Sequence, residues 1–148
     1  MKILLFGILF CLNFATLSQQ KVIVLGVAQD GGFPHIGCRG ICRLAHKDPS
    51  LERYVVSLAL VDPETKKWWL FEATPDMDSQ LQYFQEITKN AYSYLPEGIF
   101  ITHAHIGRYS GLMFLGREAL GANEVDVYAL PKWLISFSLM APGTNWLN

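Results

Sequence analysis

Hydrophobic and polar positions alternate between two periods along this chain. Lys21-Val-Ile-Val-Leu-Gly26 is β-branched and apolar on both faces, which predicts a strand covered by layers on each side. Arg53 to Leu60 and Lys67 to Phe71 predict two more strands. The residues between them, Asp62-Pro63-Glu64-Thr65-Lys66, have the chemistry of a hairpin turn, so the pair is expected to be antiparallel. After Thr74-Pro75-Asp76, which supplies a capping hydroxyl, a first-turn proline and acids near the positive end, the period changes to that of a helix. Met77, Leu81, Phe84 and Ile87 form its packing face, and Gln80, Gln82, Gln85 and Lys89 are expected to face water. Pro96-Glu97-Gly98 turns into the apolar strand Ile99-Phe-Ile-Thr102, and Leu112 to Leu120 reads as a short helix ended by Gly121. Val125 to Leu130 is a further strand, and Pro131 starts a helix through about Leu139. The order β, ββ, α, β, α, β, α predicts an α/β (α+β) domain in which an antiparallel hairpin adjoins βαβ units.

Composition sharpens this picture. A chain of 148 residues that is 51% hydrophobic and 13% aromatic can bury the core of one domain. A formal net charge of -1 with no long basic run leaves no electrostatic footprint for nucleic acid or anionic lipid. The apolar stretch after Met1-Lys2, from Ile3 to Ala15, is shorter than the roughly 20 residues needed to cross a bilayer, and it reads as a secretory signal. Thr16 and Ser18 are small residues suited to cleavage near Gln19 or Gln20, so residues 1–19 are expected to be a signal peptide and residues 20–148 an exported domain, periplasmic or extracellular. No cysteine occupies a lipobox position, and no stable membrane insertion is expected after the signal is removed.

Candidate chemistry concentrates where the Ile99 strand ends. His103 and His105 stand one residue apart on a turn, a spacing that lets two imidazole nitrogens converge on one ion with little backbone rearrangement. The alternative is one packed ring and one solvated ring. Gly26 to Gly31 has P-loop spacing without the Lys-Ser/Thr, so phosphate binding there fails. Glycines 31 and 32 instead allow a sharp turn at the mouth of a sheet, where Asp30 and His35 are exposed. Cys38 and Cys42 are the thiol pair left once Cys11 departs with the signal, and they read as a disulfide, as free thiols, or as part of a zinc site. His46 follows at the same interval of four, but Gly37 and Gly40 argue against a helix joining the three residues.

Thr102-His103-Ala104-His105-Ile106-Gly107-Arg108-Tyr109-Ser110-Gly111-Leu112 resembles the metallo-β-lactamase superfamily signature, His-x-His-x-Asp-His followed by Gly-Leu. Val22 to Ala129, with Gly31-Gly32-Phe33-Pro34 and the cysteines beyond, resembles more narrowly the pyrroloquinoline quinone biosynthesis protein B branch. The resemblance implies the first half of a four-layer αββα sandwich, with a mixed sheet and with the remaining metal ligands either beyond Asn148 or absent. It also implies hydrolase-type chemistry on a small polar or anionic substrate, a divalent ion on His103 and His105 (zinc, or alternatively iron or manganese), and a structural zinc site near Cys38 and Cys42. Gly107 stands where the signature has its aspartate and Arg108 where it has its last histidine. A guanidinium has no lone pair to give, and at about 4 Å it repels a dication by several kcal/mol. A single-ion or impaired site is therefore expected. Arg108 either holds a substrate anion as a fixed cation or is merely solvated. A fragment kept only for its fold, acting as a non-catalytic binding module, is the second expectation.

Overall fold

The computed structural model describes residues 19–29, 31–123 and 125–133. The expected signal segment, Asp30, and most of the expected last helix lie outside them. Among the described residues five strands form one mixed sheet in sequential order: β1 (Lys21–Gly26), β2 (Ser57–Asp62), β3 (Lys67–Phe71), β4 (Gly98–Phe100) and β5 (Asp126–Tyr128). The β1–β2 and β2–β3 pairs are antiparallel, whereas β3–β4 and β4–β5 are parallel. The Asp62 to Lys66 turn makes the expected hairpin. Asp62 Oδ1 accepts the Glu64 N–H at 2.9 Å and Asp62 Oδ2 accepts the Thr65 hydroxyl at 2.8 Å. These bonds, the Thr65 hydroxyl first, hold the Asp62 carboxyl below its ordinary pKa.

Register divides the sheet into two faces. Ile23, Ala59, Leu70, Ile99 and Val127 align across all five strands and point to the core. Helix α2 (Met77–Thr88) packs there, with Trp68 and Phe84 stacked at 4.1 Å between ring centroids. The opposite row runs Val24, Leu58, Phe71, Phe100, Tyr128, and its last three rings stack in series at 5.0 and 4.6 Å. That face corrects the expectation for β1: Val22 and Val24 are 61% and 52% exposed, because no second layer covers them among the described residues.

Helix α2 departs from its pattern in three places. Ile87 is 42% exposed rather than packed, and Gln80 and Gln85 are buried rather than solvated. Their amides are satisfied locally. Gln80 Nε2 donates to the Val55 carbonyl at 2.6 Å and Gln85 Nε2 to the Ser93 carbonyl at 2.9 Å, while Gln80 Oε1 accepts the Thr74 hydroxyl at 2.6 Å. Burial of these polar residues therefore costs little. Asp76 does not cap the helix with its side chain; its Oδ2 accepts the Val55 N–H at 2.8 Å instead.

The segment after β4 is helical earlier than its composition suggests. Helix α3 (Ile106–Tyr109) continues as a 3-10 turn over Ser110–Leu115, whereas residues 117–120 form turns and not the predicted end of a helix. Gly111 explains why this segment lies so close to the start of α2: a Cβ there would stand 2.2 Å from the Thr74 carbonyl oxygen. Two backbone bonds, Ala73 N–H to the Arg108 carbonyl at 2.8 Å and Gly111 N–H to the Ala73 carbonyl at 2.9 Å, tie residues 108–111 to the loop after β3.

Candidate metal centre

The carboxyl ends of β3 and β4 converge on one place, where open α/β sheets gather their ligands. β4 delivers Ile101, buried, then Thr102 and the two histidines. His103 is half-buried and His105 is exposed at the amino end of α3. His103 Nε2 and His105 Nδ1 lie 3.2 Å apart, with the two rings nearly perpendicular at 77°. Two nitrogens that each bind one tetrahedral zinc at about 2.0–2.1 Å are spaced about 3.3 Å apart, so the pair fits two ligand positions of a single ion.

Behind this pair stands Glu72, the residue after β3, buried and in the left-handed region at φ 71°. Its backbone N–H donates to the Phe100 carbonyl at 2.9 Å, which fixes it beside β4. Its carboxylate accepts the Thr102 hydroxyl on one oxygen and the Thr102 N–H, at 3.4 Å, on the other. Thr102 Oγ1 is in turn 2.9 Å from His103 Nδ1. Neither Glu72 nor Thr102 stands out as a site residue in the sequence. The available signal is a lone acid closing an otherwise apolar strand, Phe71-Glu72-Ala73.

Arg108 is the third residue of α3. Its N–H donates to the His105 carbonyl at 2.8 Å, and its guanidinium Nη1 donates to the Val56 carbonyl at 3.3 Å, so the head group is half-buried and directed inward. Gly107 beside it is buried.

The cysteine loop is a second, separate cluster. Cys38 and Cys42 are joined as a disulfide with Cα atoms 5.9 Å apart. The sulfurs and one His35 ring nitrogen lie within 4.8 Å of one another. His35 Nδ1 donates to the Ile36 carbonyl at 2.9 Å. Thiolate ligation and the disulfide exclude each other, so the three residues offer metal donors only when the pair is reduced. His46 is not in the group. A single helical turn, α1 (Cys42–Ala45), does form here despite the glycines, because it begins after Gly40.

Fold and site together define a chain that shares the metallo-β-lactamase fold, with its paired histidines at the expected strand exit. The particular likeness is to coenzyme PQQ synthesis protein B. The chain is 33% identical over 118 residues to that protein from Rhodopseudomonas palustris (strain TIE-1), covering 77% of this chain and 37% of the relative. It is 31% identical over 123 residues to the one from Methylorubrum populi, covering 80% of this chain and 40% of the relative. Among solved structures, the zinc-bound PqqB from Methylobacterium extorquens superimposes with a TM-score of 0.62 at 28% identity, covering 84% of this chain and 43% of that one. A diphosphatase of the PhnP family superimposes with a TM-score of 0.60 at 24% identity and supports the fold alone. The chain thus spans 37% to 40% of the length of these two curated relatives. No family model matches it.

Proposed function

We propose that this chain carries a single-ion metal centre on His103 and His105 and belongs to hydrolase-type chemistry on a small polar or anionic substrate. The observation that carries the reading is the 3.2 Å approach of two imidazole nitrogens. The PqqB structure from Methylobacterium extorquens is zinc-bound, and zinc is the ion proposed for this site, with iron and manganese as the alternatives. Such an ion supplies Lewis acidity that polarises a substrate oxygen and acidifies water. The chain's own residues do the rest: His103 and His105 hold the ion, and Arg108 supplies a fixed positive charge. Its inward bond to Val56 supports a held cation rather than a solvated side chain. That charge opposes a second ion and suits the carboxylate or phosphate of a substrate.

Export is part of the same proposal, resting on the apolar amino-terminal stretch and on a Cys38–Cys42 disulfide, which suits an oxidising compartment. Mass spectrometry of the exported protein is expected to find an amino terminus near Gln19 or Gln20; an intact Met1 would remove that part.

Metal analysis of purified protein with the disulfide intact tests the centre. One ion per chain, lost in His103→Ala, is expected. In Arg108→His, loss of affinity for an anionic substrate analogue supports the fixed-cation role, whereas gain of a second ion together with activity would show that arginine merely marks decay. A folded chain free of metal would favour a non-catalytic binding module.

A further inference from the structure

We infer that Glu72, acting through Thr102, is a positioning residue that sets the tautomer of His103 and so turns its Nε2 lone pair toward His105. The inference rests on the proposed metal centre and deepens it. The donor and acceptor inventory carries it. A carboxylate oxygen only accepts, so the Thr102 hydroxyl must donate its one proton to Glu72. The oxygen of that hydroxyl then has only lone pairs for His103 Nδ1, 2.9 Å away. In the neutral ring Nδ1 therefore carries the proton, and Nε2 is left bare. Nε2 is the atom that lies 3.2 Å from His105 Nδ1.

Three further features show that this chain of bonds is held rather than incidental. Glu72 is 6% exposed, so water does not compete for its oxygens. Its second oxygen accepts the Thr102 N–H, so one residue occupies both. Its backbone sits in the left-handed region, at φ 71°, which a glutamate adopts only where the surroundings enforce it. The Phe100 carbonyl on the amide and the Ser57 hydroxyl on the Glu72 carbonyl, at 2.9 and 3.3 Å, are those surroundings.

Glu72→Gln is nearly isosteric and separates this role from mere packing. An amide can present either its oxygen or its NH2 to Thr102, so the bond chain can run in both directions and His103 loses its preference. Nitrogen-15 NMR of the metal-free protein, at a pH where the ring is neutral, reads the tautomer directly. The native chain is expected to show one His103 form, protonated on Nδ1. Glu72→Gln is expected to show a mixture, Thr102→Val to lose the preference, and Thr102→Ser to keep it. Zinc affinity should fall roughly 10- to 100-fold in Thr102→Val, the usual cost of losing a partner behind a metal ligand. Thr102→Ser should stay close to the native value. An Nδ1-protonated His103 that persists in both Glu72→Gln and Thr102→Val overturns the inference while leaving the metal centre standing. A native chain that binds no zinc removes the centre, and the NMR readout still decides the tautomer.

Discussion

Two loops among the described residues bring metal-donor side chains together, and they are built on opposite principles. The His103–His105 loop leaves the end of a short interior strand, and its geometry comes from the fold: β4 beside β3, Glu72 bonded to Thr102, and residues 108–111 tied to Ala73. The Cys38–Cys42 loop is mostly exposed, turns through Gly37 and Gly40 at φ 74° and 64°, and is closed by a covalent bond across four positions. The first is preorganised by noncovalent packing of distant segments. The second is preorganised by local chemistry and by the redox state of two sulfurs. A site of the first kind should fail with the core beneath it, and a site of the second kind should respond to reductant.

The largest effect should come from below the first loop. Phe84 is fully buried and stacked on Trp68 under the sheet, and Phe84→Ala should destabilise the chain by about 3–5 kcal/mol, read from the urea unfolding midpoint. Thermal and urea scans should show this loss with the disulfide present or reduced; a loss below about 1 kcal/mol would show that the strand-exit region does not depend on this packing.

Smaller is the effect of opening the cysteine loop. Loop-closure entropy for so short a ring is about 2 kcal/mol, so the Cys38→Ser, Cys42→Ser double variant should lose no more than that and should leave the His103 site unchanged. Thiol titration of the native protein should find no free Cys38 or Cys42 before reduction. A change in zinc binding at His103 on reduction alone would erase the contrast between the two loops.

Smallest is the turn of the hairpin, at the other end of the sheet from the site. The folded pKa of Asp62 is lowered, so its contribution is present above the ordinary carboxylate value and disappears as pH falls through the lowered one. Asp62→Asn should therefore be slightly less stable than the native chain near neutral pH, and the difference should close in acid. A difference that widens in acid would reverse the sign of this assignment.

Much of this fold is legible in the sequence. The strand of β-branched residues from Lys21 and the hairpin around Asp62 follow from local period and turn chemistry, and the histidine pair follows from ligand spacing. Gln80 and Gln85 misled because amphipathic patterning treats an amide as a solvent-facing group, whereas here the Val55 and Ser93 carbonyls receive them. Val22 and Val24 misled because an apolar strand does not say whether a second layer covers it. Glu72 could not be assigned from sequence, since its partner Thr102 lies 30 positions away and only the parallel register of β3 and β4 brings them together. The cysteine pair left its state open, because spacing alone does not separate a disulfide from two metal ligands.

The central claim is that two histidines at a strand exit share one ion. Zinc titration by calorimetry, with the disulfide intact, tests it most directly on the native chain and on His103→Ala. One site per chain is expected, weakened by more than about 100-fold in the variant. Binding of equal strength in both proteins, or two ions per native chain, would contradict it.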